Sequence, residues 1–194
     1  MHGLINRAIQ SFLADTYGAE VWAVIAREAQ VPVGGFEAML SYDVAMTGDM
    51  LDAAESVLGR PREGILEDLG TYLVSHPNRE GLRRLLRFGG VTFLDFLHSL
   101  EDLPDRARLA LPDLELPDML LTDAGGDRFM LTCHSPFAGA GYIALGLLRA
   151  MADDYGALVL LDHLGTGSDG EVLAIHLLER RFAVGRRFNL AAEA

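Results

Sequence analysis

No lysine occurs in the chain, and cysteine and tryptophan occur once each. The single Cys133 excludes an internal disulfide framework and a cysteine-rich zinc site. The 16 basic residues other than histidine, all arginine, face 28 acidic ones, and the formal net charge is -12. A field of that sign argues against nucleic acid or an anionic membrane as the main partner. No apolar run approaches the roughly 18 residues that a membrane-spanning helix needs. Met1-His2-Gly3-Leu4-Ile5-Asn6-Arg7 lacks the basic start and apolar core of a secretion signal. It also lacks the glycine directly after the initiator methionine that myristoylation requires. The expected compartment is the cytoplasm. What the chain does have is apolar content: half of its 194 residues are hydrophobic, 23% are charged, and mean hydropathy is +0.20. That is enough for one ordinary domain with a sizeable core.

Apolar residues recur at helical spacing through the first hundred or so positions. Leu4, Ile5, Ala8, Ile9, Phe12 and Leu13 form one stripe, and Val21, Trp22, Val24 and Ile25 a second that ends before Val31-Pro32. Met50 to Leu58 predicts a third helix closed by Gly59. Pro61 suits the first turn of a fourth, which carries Ile65, Leu66, Leu69, Tyr72 and Leu73 and ends before Pro77. A short helix through Leu82, Leu85 and Leu86 follows. Phe93, Phe96, Leu97, Leu100 and Leu103 predict another, continuing with some disruption towards Leu111. The period then changes. Met119 to Thr122 and Arg128 to Cys133 read as a hairpin around Ala124-Gly125-Gly126-Asp127, and Tyr142 to Tyr155 as a helix. Ala157 to Leu164 and Glu171 to Leu178 form a second hairpin. Strands paired without a helix after each predict an antiparallel sheet in an α+β fold.

The common chemical motifs are missing. Gly139 and Gly141 lack the full phosphate-loop spacing. Asp162, His163, Asp169 and His176 surround the last hairpin; turn and surface roles outweigh a metal site there, with His176 partly buried. Ser135 has no glycine elbow. Cys133 and His134 point to opposite faces of a strand and form no dyad. An enzyme is not expected.

Met1 to Ile9, Tyr17-Gly18-Ala19-Glu20-Val21-Trp22, Ile65 to Tyr72, Leu94 to Leu100 with Pro112 and Pro117, and His134-Ser135-Pro136 stand in a familiar order. On these stretches the chain resembles the H-NOX family, the haem nitric oxide/oxygen binding (HNOB) domains, over nearly its whole length. The resemblance implies one H-NOX-like α+β domain over residues 1–180. Its N-terminal helical layer, about 1–110, packs on a C-terminal antiparallel sheet, about 118–178, with one long helix between two hairpins. Residues 181–194 are a short C-terminal element or tail.

The same resemblance implies haem and a gaseous ligand, and here the sequence departs from the family. The family's axial histidine lies thirteen residues before a proline; counting back from Pro117 reaches Pro104. Proline has no ring nitrogen to offer iron. The propionate-binding Tyr-x-Ser-x-Arg becomes Cys133-His134-Ser135-Pro136-Phe137, which keeps the serine and loses the forked cation. His98 lies six residues before Pro104, a rotation of roughly 600° away from the ligand direction, and a surface or helix-end role outweighs iron ligation. Cys133 could bind iron as a thiolate, but a buried, inert thiol is the expectation. His134 is expected outside the cavity, and His2 on a mobile or solvent-facing terminus. Ile5, Ile9, Leu73 and Leu145 fall where the resemblance places the walls of an apolar cavity, although each also reads as a core contact.

Two functional readings follow, both without an active site. The first is a gas-sensing domain, nominally haem-binding but degenerate in ligation. It would act on a separate partner such as a histidine kinase or a cyclic-dinucleotide enzyme. The second is a haem-independent sensor of another apolar ligand, or a pure protein-interaction domain. In either, the segment Leu100 to Leu111 would carry the signal, with Asp105, Arg106 and Arg108 as its charged outer face.

Overall fold

The structure, a computed structural model, describes residues 1–182 and 185. Eight α-helices and four strands follow one another as α1 (Gly3–Tyr17), α2 (Ala19–Glu28), α3 (Val44–Leu58), α4 (Arg62–Ser75), α5 (Glu80–Arg87), α6 (Phe93–His98), α7 (Leu103–Ala110), β1 (Asp118–Gly125), β2 (Arg128–His134), α8 (Ala140–Tyr155), β3 (Leu158–Gly167) and β4 (Gly170–Glu179) among the described residues. The strands form one antiparallel sheet in the order β1-β2-β4-β3. This is the expected α+β architecture, a helical layer on an antiparallel sheet with a long helix between two hairpins. Beyond Phe182 and Gly185, the expected C-terminal element lies outside the described residues.

Local chemistry sets the ends of the elements. The His2 side chain accepts the Leu4 N–H through Nδ1 and caps α1, while its backbone pairs with Ser41. His2 is buried, not on a solvent-facing terminus: the cap and the bridge hold it against the 37–42 segment. Gly59 ends α3 in the left-handed region, at φ 61°, where a side chain would be strained. Pro61 is the N-cap of α4, one residue before the expected position.

The helix expected from Phe93 towards Leu111 with some disruption is two helices, the second starting at the position where Pro104 favours a start or a bend. Thr92 and Asp95 close α6 with reciprocal capping bonds, and the chain breaks over Ser99–Asp102. A straight, fully bonded helix is disfavoured here, because Pro104 has no N–H for the Leu100 carbonyl and its ring would collide with it. Leu100 O instead accepts the Leu103 N–H at 3.1 Å, and α7 restarts with proline in its first turn, where a missing donor is harmless.

Two apolar cores result. One, among α1–α4, holds Phe12, Leu13, Ile25, Leu51, Ile65 and the single Trp22. The other, between the sheet and α6 and α8, holds Phe96, Leu97, Leu131, Leu148, Leu173 and Ile175. Helices α4 and α8 run along the boundary and feed both: Leu66 and Ala140 belong to the first core, Val74 and Leu148 to the second. Their backbones touch at Gly70 and Gly146. A methyl group at Gly70 would overlap the Ile143 carbonyl oxygen, and one at Gly146 the Glu67 carbonyl oxygen. The Thr71 hydroxyl donates to Gly146 O at 3.3 Å, and Arg149 pairs with Glu67 across the crossing.

Candidate functional site

Three of the anticipated site residues, Cys133, Ser135 and Phe137, lie where β2 ends and α8 begins. Period-two alternation along β2 puts Cys133 inward and His134 outward: Cys133 is 2% exposed, His134 is exposed. Cys133 faces Glu171 on β4. Burial pushes its thiol from about 9 up to about 12, and the Glu171 carboxylate adds to the shift. The chain then turns. Ser135 Oγ accepts the Phe137 N–H at 3.1 Å, and Phe137 is buried against the helical core beside Ala140.

Glu171 organises this corner. Its Oε1 accepts the Gly139 N–H at 2.7 Å, and its Oε2 accepts the Gly141 N–H at 3.2 Å. These are groups at the N-terminus of a 16-residue helix, where orphan donors and the helix dipole favour an anion. His163 Nε2 lies 2.9 Å from Oε2, while its Nδ1 accepts the Gly165 N–H at 3.1 Å. Nε2 therefore carries the hydrogen and donates to Glu171. The imidazole stacks on Tyr142, with centroids 4.0 Å apart and planes 3° from parallel. Burial, first, and the carboxylates of Glu63 and Glu171 raise the Tyr142 hydroxyl above its ordinary value. Gly141 has to be glycine, since a Cβ there would crowd both Glu171 and His163.

The sequence predicts a turn or surface role for His163, whereas its side chain is enclosed, 8% exposed. Among the described residues no group of three or more His, Cys, Asp or Glu side chains is arranged for a metal ion.

The other candidates are dispersed. Ile9 is buried in the helical core, with Ile5 and Leu73 half-buried against it, whereas Leu145 belongs to the sheet-side core. Pro104 is buried in the first turn of α7, and Pro117 is half-buried just before β1. His98 is exposed at the end of α6, its ring edge-on to Phe129 at 6.2 Å. The outer face of α7 is smaller than expected. Arg106 turns back and donates to Ser99 O at 3.0 Å, filling an acceptor left open by the helix break. Arg108 stays exposed, paired with Asp105 at 2.6 Å. Glu101 Oε1 accepts the Leu121 N–H at 2.9 Å and ties the break to edge strand β1.

A second buried polar cluster fastens α5 to α8. Asp154, 2% exposed, pairs with Arg83 at 2.7 Å and Arg87 at 3.7 Å. Arg87 lies 3.8 Å over the Tyr155 ring, whose hydroxyl donates to Gly90 O at 3.0 Å.

Comparison with known proteins matches residues 2–163 to the family described as Haem-NO-binding, HNOB. The chain belongs to that family. It is 22% identical over 155 residues to soluble guanylate cyclase 89Db of Drosophila melanogaster, covering 80% of this chain and 23% of the relative. It is 25% identical over 154 residues to soluble guanylate cyclase gcy-31 of Caenorhabditis elegans, covering 79% and 22%. The chain thus spans less than a quarter of the length of these relatives. Among solved structures, Fe(II) unliganded H-NOX from K. algicida superposes with a TM-score of 0.76 at 17% identity, covering 100% of both chains. Fe(II)NO H-NOX from S. oneidensis gives 0.76 at 19%, covering 92% of this chain and 100% of that one. Fold and family make this an H-NOX-type sensory domain. No helix among the described residues is long and apolar enough to cross a membrane.

Proposed function

We propose that this domain senses without a histidine-ligated haem and relays its state to a separate signalling protein. The observation that carries the reading is α7. Leu103-Pro104-Asp105-Arg106-Ala107-Arg108-Leu109-Ala110 offers no histidine, cysteine, methionine or tyrosine to iron, and Pro104 occupies the place that the family resemblance gives to the ligand. The polar end of a haem is also poorly served. Phe137 is packed into the core and donates nothing. The donors at the start of α8 are taken by Glu171, so a propionate would meet a resident carboxylate. Haem therefore does not fit the residues present, and no signalling step is routed through it.

The ligand that suits the remaining chemistry is small and apolar or gaseous, held where the family resemblance sets the cavity walls, at Ile5, Ile9, Leu73 and Leu145. The partner is a histidine kinase or a cyclic-dinucleotide enzyme, engaged in the cytoplasm, and residues 1–180 act as one unit. The test is absorption of the purified chain after expression with supplied haem. The expected spectrum lacks a sharp Soret band at one haem per chain, and nitric oxide leaves the haem-free protein's circular dichroism unchanged. A stoichiometric Soret band overturns the reading; its loss in His98→Ala would identify the replacement ligand.

A further inference from the structure

The inward positions of β4 are Glu171, Leu173, Ile175 and Leu177, all buried. An acid on the covered face of a sheet is costly unless donors replace its water. Glu171 meets donors only: the Gly139 N–H at 2.7 Å, the Gly141 N–H at 3.2 Å and the His163 Nε2–H at 2.9 Å. Such a set suits an ionised carboxylate, which accepts and cannot donate. Among the described residues no arginine pairs with Glu171, so its charge is balanced by N–H groups and by the start of α8.

This cradle borders the helical core. Phe137 and Ala140 belong to that core with Ile9, and Ile5, Leu73 and Tyr142 pack against it. A Cβ at Gly139 would stand 2.4 Å from Leu66 Cδ1. Three of the four apolar wall residues and the donors of the corner are therefore gathered on one core.

We infer that Glu171 is the cradle's own anionic ligand and closes it to any incoming acid, so that the molecule sensed is neutral; this step rests on the proposed apolar ligand site. One carboxylate engages all three donors, and its Oε2 already accepts two of them. A second carboxylate would find no free donor here and would lie beside a buried negative charge. Glu171 is also tethered by its strand, so a free acid competes against an intramolecular contact.

Glu171→Ala tests this, because the group it removes, CH2–COO⁻, has the shape of acetate. Thermal unfolding of the full chain is followed in acetate and in chloride at equal ionic strength. Glu171→Ala should melt below wild type, and acetate should recover the difference saturably while chloride does not. Wild type should show no saturable gain. Titration calorimetry with hexanoate and with its neutral methyl ester then reads the class of ligand. Hexanoate should bind Glu171→Ala at least about tenfold more tightly than wild type, and the methyl ester should bind both alike. Acetate and chloride acting alike on Glu171→Ala overturns the inference, and so does equal affinity of the two proteins for hexanoate. A methyl ester that binds neither protein overturns the apolar ligand site instead, and acetate rescue still decides the role of Glu171. Should Glu171→Ala fail to fold, its refolding yield in acetate against chloride decides, and equal yields overturn the inference.

Discussion

Glu171 holds the β2–α8 corner together by placing one carboxylate against two backbone N–H groups and one imidazole N–H. It sits in the β4 run as a lone acid before a stretch of leucine and isoleucine, with no motif to mark it. Its role comes from the sheet register, which sets it opposite Cys133 and beneath the start of α8. Cys133 records that neighbourhood. Its thiol is raised to about 12 by burial first and by Glu171 second, so the folded state holds the proton more tightly than the unfolded chain. The stabilising contribution is full below about 9 and is lost as pH rises towards about 12. The native protein should therefore leave Cys133 unmodified by Ellman's reagent at pH 8 and react fully in urea. Between pH 9 and pH 12 it should lose stability faster than Cys133→Ala does, as read by urea midpoints. Rapid native-state labelling, or parallel pH profiles for the two proteins, would contradict this.

At the scale of elements, the α4–α8 crossing depends on two glycines. An alanine inside a helix is ordinarily better than glycine by about 1 kcal/mol, and Gly48 in α3 has open space around its missing side chain. Gly48→Ala should therefore stabilise by roughly 0.5–1 kcal/mol. Gly70→Ala and Gly146→Ala should reverse the sign and cost about 2–3 kcal/mol each, because their methyl groups would overlap the backbone of the opposite helix. Chemical denaturation of the three variants checks the contrast; a stabilising Gly146→Ala would show that the helices do not approach so closely. The break between α6 and α7 is an element-scale feature of another kind. Pro104 sets it locally, and Arg106 and Glu101 reinforce it by satisfying a carbonyl and an edge-strand N–H.

For the molecule as a whole, each core contains its own reporter. Trp22 lies in the helical core and Cys133 in the sheet-side core. Because α4 and α8 contribute to both, and the Arg83–Asp154 pair ties α5 to α8, neither core can come apart without stripping the shared helices. Urea titrations followed by Trp22 fluorescence and by Cys133 labelling should give one coincident transition, the behaviour of a single cooperative unit. Asp154→Ala should move both curves to lower urea together by about 3–5 kcal/mol, since it leaves arginine charge buried without its partner. Separate midpoints for the two probes would mean that the helical layer and the sheet fold as independent bodies.

The order of helices and strands was legible in the sequence, because helical and strand periodicities differ and each element buries a face of its own. The break at Pro104 was equally local, a consequence of one missing N–H and one rigid ring. The departures from the family's chemistry proposed at Pro104 and Phe137 rest on the family resemblance and on counting along the chain. The tertiary structure alone decided which polar groups meet. Glu171, His163, Tyr142 and the α8 N-terminus come from separate elements, and so do Asp154 and Arg83; no spacing rule links them. The sequence alone predicts a free terminus at His2, since its cap and its bridge depend on the 37–42 segment packing back on α1. Which face of the sheet is covered was hidden for a related reason: Val172 to Leu178 is apolar but for His176, and only the fold shows that Leu173, Ile175 and Leu177 turn inward.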